Sequence, residues 1–173
     1  MFFAADGALL GLISVADPVK ETSAAAIAAL RKQGLRVVLL TGDSRAAAEH
    51  IGALVGVDEV IPEVLPEEKA VHVQKLEAAG RKVMMVGDGI NDSPALATAD
   101  VSVALSDASD IARAVADVLV HDSSLASLVT MRTLASRLMA RIHGDYRFIV
   151  GFNSALIAGG VASLLPVTTA AYL

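Results

Sequence analysis

Two carboxylates follow a short apolar segment in the middle of the chain, and their spacing gives the most direct indication of chemistry. Val83–Val86 is a run of four apolar residues, which is typical of a buried parallel strand. Asp88 and Asp92 follow it, with Asn91 between them. Ligands of α/β proteins bind outside the carboxyl ends of such strands. Carboxylate oxygens in this position suit a hard cation, so the segment predicts a Mg2+ site.

A second group of polar residues follows an earlier predicted strand. Arg36–Leu40 is apolar after its first residue and leads into Thr41, Gly42 and Asp43. A hydroxyl, turn N–H groups and a nearby helix N-terminus together bind oxyanions. Lys69, in the first turn of a later helix, adds a cation. The two groups therefore predict a phosphoryl site with anion donors, a cation and a carboxylate-bound metal.

The elements that position these residues alternate between strands and helices. This alternation predicts an α/β fold with a right-handed, mostly parallel sheet. A hairpin over residues 2–16 is expected to turn at Asp6-Gly7, and Ser44 is expected to cap a helix. The other predicted elements are helices over 17–33, 45–55, 66–79 and 106–116, strands over 59–61, 101–105 and 118–120, and a long helix over 124–143.

Charge and composition differ between the two parts of the chain. Residues 1–122 hold 10 basic and 18 acidic residues, whereas residues 123–173 hold four arginines and one acid. The acidic first part argues against nucleic acid as a partner. The absence of cysteine excludes disulfides, zinc–thiolate sites and cysteine nucleophiles within this chain. A hydrophobic content of 54% is high for a soluble domain and predicts a membrane segment.

The carboxyl-terminal part matches that prediction. Residues 148–173 carry no charge over 26 positions, and residues 148–165 are 18 apolar or small residues, which predicts a transmembrane helix in a lipid bilayer. Arginines before this segment predict that residues 1–147 are cytoplasmic. Asn153 is the main polar residue of the span, and it is either a functional residue or an interhelical hydrogen-bonding group. Expected boundaries are 1–122, 123–147, 148–165 and 166–173, the last being the start of a following segment.

Taken together, the motifs resemble P-type ATPases, the phosphorylated ion pumps of the haloacid dehalogenase superfamily. The motifs occur in the family's order along the whole chain. The short distance from the last motif to the membrane segment most resembles that of the heavy-metal subfamily. The matching segments are Asp17-Pro18-Val19-Lys20, Thr41-Gly42-Asp43, Pro66-Glu67-Glu68-Lys69, Gly87-Asp88-Gly89-Ile90-Asn91-Asp92-Ser93-Pro94-Ala95-Leu96, Ala99-Asp100-Val101 and Ala116-Asp117-Val118-Leu119.

The resemblance implies a haloacid-dehalogenase-like Rossmannoid fold, incomplete in this chain, and an ATP-driven pump for a heavy-metal cation. By the same resemblance, Asp88 holds Mg2+ and Asp92 supports the site, while Thr41 and Lys69 contact the phosphoryl group. Further residues are implied in binding ATP or at the domain hinge (Lys20, Gly42, Asp43 and Asn91), and Asn153 falls where the subfamily can place a ligand for the transported ion.

One departure limits what this chain is expected to do alone. The family's phosphorylated aspartate lies in Asp-Lys-Thr-Gly-Thr, and no such string is present. The chain therefore resembles the distal part of the phosphorylation domain plus one membrane helix, inactive without the pump's upstream domains. Two alternatives stay open: a membrane-tethered companion or regulatory subunit, and a phosphatase of the same superfamily. The sequence does not identify the ion.

Overall fold

The structure, a computed structural model, describes residues 2–12, 18–106, 108–122 and 124–162. The chain divides into two compact units, Met1–Leu128 and Val129–Leu173. The first unit is an α/β domain, as predicted, and the described part of the second is helical. Asp17 of the first motif and residues 163–173 of the predicted tail lie outside the described residues.

A β-hairpin opens the first unit. β1 (Phe2–Ala5) pairs antiparallel with β2 (Ala8–Leu12). The turn residues Asp6 and Gly7 have φ angles of 48° and 79°, which glycine adopts freely and aspartate tolerates. The predicted hairpin is confirmed as far as Leu12, and residues 13–16 lie outside the described part of the chain.

Helices and strands then alternate through the rest of the described chain. They are α1 (Thr22–Lys32), β3 (Val38–Leu40), α2 (Arg45–Val55), β4 (Glu59–Ile61), α3 (Pro66–Ala78), β5 (Met84–Gly87), a 3-10 turn (Ile90–Asp92), α4 (Ser93–Thr98), β6 (Val101–Ala104), α5 (Asp110–Val115), β7 (Val118–Leu119) and α6 (Ala126–Val161).

Local capping explains where several helices begin and end. Gly34 and Gly80 follow α1 and α3 with φ angles of 81° and 77°, which glycine adopts readily, so each ends its helix. The predicted helix over 106–116 is shorter, because Ser109 caps it by accepting a hydrogen bond from the N–H of Ala112. Ser44 occupies the N-cap position of α2, as expected, but its side chain makes no capping hydrogen bond.

The parallel strands form two groups rather than one sheet. β3 pairs with β4, and β5, β6 and β7 form a second parallel sheet in that order. The predicted parallel direction is confirmed. The parallel sheet is incomplete, as the resemblance implied: among the described strands, none pairs with the second edge of β3 or of β5.

Small and branched residues close the core of the second sheet. Leu96 of α4, Ala104 of β6 and Ala112 of α5 are at most 1% exposed and belong to one buried cluster. Alanine at two of these positions lets the short helices pack close to the strand. The core therefore forms directly beside the carboxyl end of β5, where it supports the loop that carries Asp88 and Asp92.

Three aspartates that immediately precede strands hold the parallel neighbours in register. Each accepts a hydrogen bond from a backbone N–H near the start of the neighbouring strand: Asp58 from Val37 at 2.8 Å, Asp100 from Val83 at 2.9 Å and Asp117 from Ser102 at 2.9 Å. A register slip would separate these donors from their acceptors. The same sequence feature, an aspartate before an apolar strand, thus has the same structural role three times.

The hydrogen bonds also stabilise the charged form of each carboxylate. The Ser102 hydroxyl, 2.7 Å from Asp117, and the Ser102 N–H hold the pKa of Asp117 below its ordinary value. The Lys82 ammonium and then the Val83 N–H lower the pKa of Asp100. Because these pKa values are depressed on folding, their stabilisation is present above the unfolded pKa and is lost as the pH falls through the folded pKa.

We expect Asp117→Asn to weaken the acid dependence of stability. At about pH 6 the variant should unfold at a lower urea concentration than the parent, whereas at about pH 3 the difference should shrink, since the parent carboxyl is then becoming protonated. Urea titrations at the two pH values measure this. Glu49→Gln is the control, because its ion pair with Arg45 is 3.7 Å long and exposed and contributes little. An equal loss at both pH values would contradict the prediction.

The helix after the α/β domain is continuous. The sequence predicted a helix over 124–143 and a separate one over 148–165, but α6 runs unbroken from Ala126 to Val161. No proline lies between Ala126 and Val161, so every residue of this range can donate its backbone N–H to the helix. Among the described residues, no helix combines the length and apolar character needed to cross a bilayer. The predicted membrane helix is therefore unconfirmed, and residues 163–165 of it lie outside the described range.

Candidate functional site

An ion pair joins two of the predicted site residues. The Lys69 ammonium lies 2.6 Å from Oδ1 of Asp92, and the two side chains are only 16% and 12% exposed. Lys69 is in the first turn of α3, and Asp92 ends the 3-10 turn after β5. A carboxylate this sheltered needs a cationic or hydrogen-bonding partner. The pair therefore fixes the start of α3 against the carboxyl end of β5.

Gly87 leaves the space that Asp92 occupies. A Cβ atom at residue 87 would lie 2.8 Å from Cβ of Asp92 and 3.1 Å from its Oδ2. Real side chains do not approach so closely, so only glycine fits beside Asp92 here. In the sequence Gly87 stands out only as part of a motif, so its role in positioning Asp92 was not predicted. Its signal in the sequence was a glycine at the end of a buried strand, which often marks a close approach.

Asp88 directly follows Gly87 in the sequence and is exposed, as is Asn91. The backbone C=O of Asp88 accepts a hydrogen bond of 2.8 Å from the N–H of Ser109, the residue that caps α5. This bond attaches the loop after β5 to the start of α5. The Asp88 carboxylate is thus held at the carboxyl end of β5 while remaining accessible to a ligand.

Thr41 and Asp43 bond to each other at the end of β3. The Thr41 hydroxyl donates to Oδ2 of Asp43 at 2.9 Å and accepts from the Asp43 N–H at 3.2 Å. A Cβ at Gly42 would lie 3.3 Å from the C=O of Val64, so the turn packs tightly on the chain before α3. A ligand that accepts a hydrogen bond from the Thr41 hydroxyl must replace the Asp43 carboxylate as its acceptor.

The segment leading into α3 connects the two strand ends. The Val64 N–H donates to the C=O of Thr41 at 3.1 Å, and the Glu63 N–H donates to the C=O of Asp43 at 3.0 Å. Lys69 then reaches Asp92. The segment before α3 is thereby bonded to the turn after β3, and Lys69 in the first turn of α3 is paired with Asp92 after β5.

Two further predicted residues lie before α1 and within α6. Lys20 precedes α1, and its backbone C=O accepts from the N–H of Ser23 at 2.9 Å. Asn153 is an exposed residue of α6 in the second unit. Among the described residues, no group of three or more His, Cys, Asp or Glu side chains is arranged to hold a metal ion. Mg2+ is commonly held by one or two carboxylates together with water and substrate phosphates.

The fold and the motif-bearing edge belong to a known class. A family profile for haloacid dehalogenase-like hydrolases matches residues 2–100. The chain therefore belongs to the haloacid dehalogenase-like hydrolases, and it is homologous to heavy-metal P-type ATPases in the region of their phosphorylation domain. The resemblance found in the sequence is confirmed.

Individual relatives define the extent of the homology. The chain is 44% identical over 174 residues to the probable copper-importing P-type ATPase A of Enterococcus hirae, covering 92% of this chain and 24% of the relative. It is 42% identical over 154 residues to the copper-exporting P-type ATPase of Bacillus subtilis, covering 89% and 19%. The crystal structure of a zinc-transporting PIB-type ATPase in the E2.Pi state superposes with a TM-score of 0.82 at 32% identity, covering 89% of this chain and 25% of that one. The chain thus spans about a quarter or less of these relatives.

We expect Gly87→Ala to displace Asp92 from Lys69. Overpacking of this kind costs about 1–3 kcal/mol, so the free energy of unfolding should fall by that amount in chemical denaturation. Gly89→Ala is the matched control, because a Cβ at Gly89 meets its nearest atom, Oδ2 of Asp92, at 3.7 Å, an ordinary contact. If the two variants unfold at the same denaturant concentration, the close approach at Gly87 is not what positions Asp92.

Proposed function

We propose that this chain supplies the Mg2+- and phosphoryl-contacting half of the phosphorylation site of an ATP-driven heavy-metal cation pump, together with one membrane helix. The observation that carries the proposal is the sheltered Lys69–Asp92 ion pair, 2.6 Å long, beside the exposed carboxylate of Asp88 at the end of a parallel strand. The homology to metal-transporting P-type ATPases supports it along 89–92% of the chain.

Within this proposal, Asp88 holds Mg2+ and Asp92 supports the site through Lys69. The two carboxylates differ in availability: Asp88 is exposed, whereas one oxygen of Asp92 already accepts from the Lys69 ammonium at 2.6 Å. An exposed carboxylate at a strand end fits an ion that keeps water and phosphate oxygens as its other ligands. Bound there, Mg2+ would offset negative charge on a transferred phosphoryl group.

Lys69 and Thr41 are the proposed contacts to the phosphoryl oxygens. An ammonium group has three N–H donors, and the bond to Asp92 uses one of them. Asp92 keeps the cation in place, so the remaining donors are oriented before a ligand arrives. Thr41 contributes its hydroxyl after exchange of its bond to Asp43. Positioned donors of this kind stabilise phosphoryl transfer without forming covalent bonds to the group.

The remaining roles extend the proposal to the whole pump. Lys20, Gly42, Asp43 and Asn91 lie toward ATP or the domain hinge, and Asn153 is a ligand of the transported cation. The partners are the upstream domains of the pump and the lipid bilayer. The uncharged run from Phe148 to Leu173 supports a membrane segment that includes the end of α6, with residues 1–147 on the cytoplasmic side.

Asp88→Asn in the full-length pump tests the metal role. We expect the Mg2+ concentration for half-maximal phosphorylation by ATP to rise at least about tenfold, since a charged oxygen ligand becomes a neutral amide. The measurement is phosphoenzyme formation from labelled ATP across a Mg2+ titration. Glu67→Gln is the control, because Glu67 is exposed in the first turn of α3 near Lys69. An unchanged Mg2+ dependence in Asp88→Asn would remove Asp88 from the metal site.

Single cysteines test the membrane role on the 173-residue chain, which has none of its own. In lipid vesicles, Ala155→Cys should react with a membrane-impermeant maleimide at least about tenfold more slowly than Ala140→Cys, because the bilayer core excludes water. Both residues lie in α6 and are exposed, so they form a matched pair. In denaturant without lipid, the two cysteines should react with the maleimide at equal rates. Equal rates in vesicles would show that residue 155 is not in the bilayer.

A further inference from the structure

Glu63, between β4 and α3, has a backbone conformation that glutamate rarely adopts. Its φ angle is 59°, in the left-handed region, and among the described residues other than glycine only Asp6 shares this feature. Aspartate tolerates the region because its short side chain can bond locally, whereas the Cβ atom of a longer residue crowds the backbone. Such strain persists only where surrounding contacts hold the residue in place. The contacts of Glu63 therefore identify what the conformation serves.

The left-handed conformation directs two successive N–H groups to one turn. The N–H of Glu63 donates to the C=O of Asp43 at 3.0 Å, and the N–H of Val64 donates to the C=O of Thr41 at 3.1 Å. In an extended strand, adjacent N–H groups point to opposite edges, so residues 63 and 64 could not both bond to the turn after β3. The positive φ of Glu63 removes this alternation.

The carboxylate of Glu63 reaches the other end of the same turn. Its Oε1 accepts from the backbone N–H of Arg45 at 3.4 Å, and its Oε2 lies 3.9 Å from the Arg45 guanidinium. Arg45 is the first residue of α2, where backbone N–H groups have no partner within the helix, and the side chain of Ser44 makes no capping bond. Both charged side chains are more than half exposed, so the ion pair itself contributes little. The hydrogen bond to the backbone is the contact that fixes a direction.

Glycine at residue 63 would satisfy the backbone requirement without strain. It adopts positive φ freely, and the two bonds to the turn use only backbone N–H groups. What the strained Glu63 adds is therefore its side chain, which links the segment before α3 to the start of α2. The turn over residues 41–43 is thus held at Thr41 and Asp43 by backbone bonds and at Arg45 by the carboxylate.

We propose that Glu63 is a positioning residue that fixes the hydroxyl of Thr41 for contact with a phosphoryl group. The inference rests on the proposed function, in which Thr41 makes that contact. Glu63 acts through the turn: it bonds to Asp43 and Arg45, and the N–H of Asp43 donates to the Thr41 hydroxyl at 3.2 Å. The strain at Glu63 is offset by a turn that is ordered before a ligand arrives.

Amide hydrogen exchange of the 173-residue chain tests whether the side chain orders the turn. In Glu63→Gly the amide of Asp43 should exchange at least about threefold faster, because its acceptor, the Thr41 hydroxyl, is less well fixed. The amide of Asp58, which donates to the C=O of Val37, should keep its rate. An unchanged rate at Asp43, or an equal acceleration at Asp58, would overturn the proposal.

Three further variants complete the comparison. Glu63→Asn should accelerate the Asp43 amide as Glu63→Gly does, because asparagine tolerates positive φ but its side chain is shorter; it decides the question if the glycine variant does not fold. Glu63→Gln keeps an oxygen acceptor for the Arg45 N–H and should restore the parent rate. Glu49→Gln is the matched control, since it removes the other exposed partner of the Arg45 guanidinium, at 3.7 Å, and should have no effect. Equal acceleration in Glu49→Gln would assign the effect to the charge of Arg45 and overturn the role of Glu63.

The rate constant of phosphoenzyme formation from labelled ATP in the full-length pump measures the consequence for the site. At saturating ATP and Mg2+, Glu63→Gly should lower it at least about fivefold, because a misplaced hydroxyl loses its contact geometry. Glu63→Gln should restore most of the rate. A purely structural defect would lower the amount of phosphoenzyme and leave the rate constant of the folded pump unchanged, and that result would contradict a positioning role.

Failure of this inference can be separated from failure of the proposed function. Thr41→Ala removes the hydroxyl itself, and adding Glu63→Gly to it should lower the rate constant less than about twofold further, because both changes affect one contact. A slowed Thr41→Ala with a parent-like Glu63→Gly would exclude Glu63 and keep the Thr41 contact. A parent-like Thr41→Ala would exclude the Thr41 contact and the positioning role with it.

Discussion

The ion pair between Lys69 and Asp92 is the constraint on which the site depends. A carboxylate with 12% exposure is stable in its charged form only if a partner replaces the lost water, and Lys69 does so at 2.6 Å. This requirement places the first turn of α3 over the end of β5. It also explains Gly87, because a side chain there would occupy the space of Asp92. The position of α3 relative to the end of β5 thus follows from the need to pair the sheltered carboxylate of Asp92.

The strands that carry the site are aligned by a second set of charged groups. Asp58, Asp100 and Asp117 each stand just before a strand and accept a backbone N–H of the parallel neighbour. The bonds determine which residues of two strands lie side by side, and so how far each strand end reaches toward the edge. The three carboxylates lie at the amino ends of the strands, whereas Thr41 and Asp88 follow their carboxyl ends. The carboxylates therefore affect the position of these two residues only by fixing the register of the strands.

The two features together arrange the residues of the phosphoryl-transfer half-site proposed above. Lys69 provides a held cation, Asp88 an exposed carboxylate and Thr41 a hydroxyl, each at the end of a strand or at the start of α3. The chain lacks the motif with the phosphorylated aspartate that the resemblance implies. Under the proposed function, the rest of the pump provides the missing motif.

Short-range features of the fold were determined by the sequence alone. Glycine at Gly34 and Gly80 ends helices because it adopts positive φ, and apolar runs such as Val83–Val86 identify strands, since these properties depend on a few adjacent residues. The motif residues around Asp88 were likewise recognised from their spacing. Only the tertiary structure decided the partner of Asp92 and the separation of the strands into two groups, because each depends on residues distant in sequence. Lys69 and Asp92 are separated by 23 positions, and no local pattern specifies that their side chains meet.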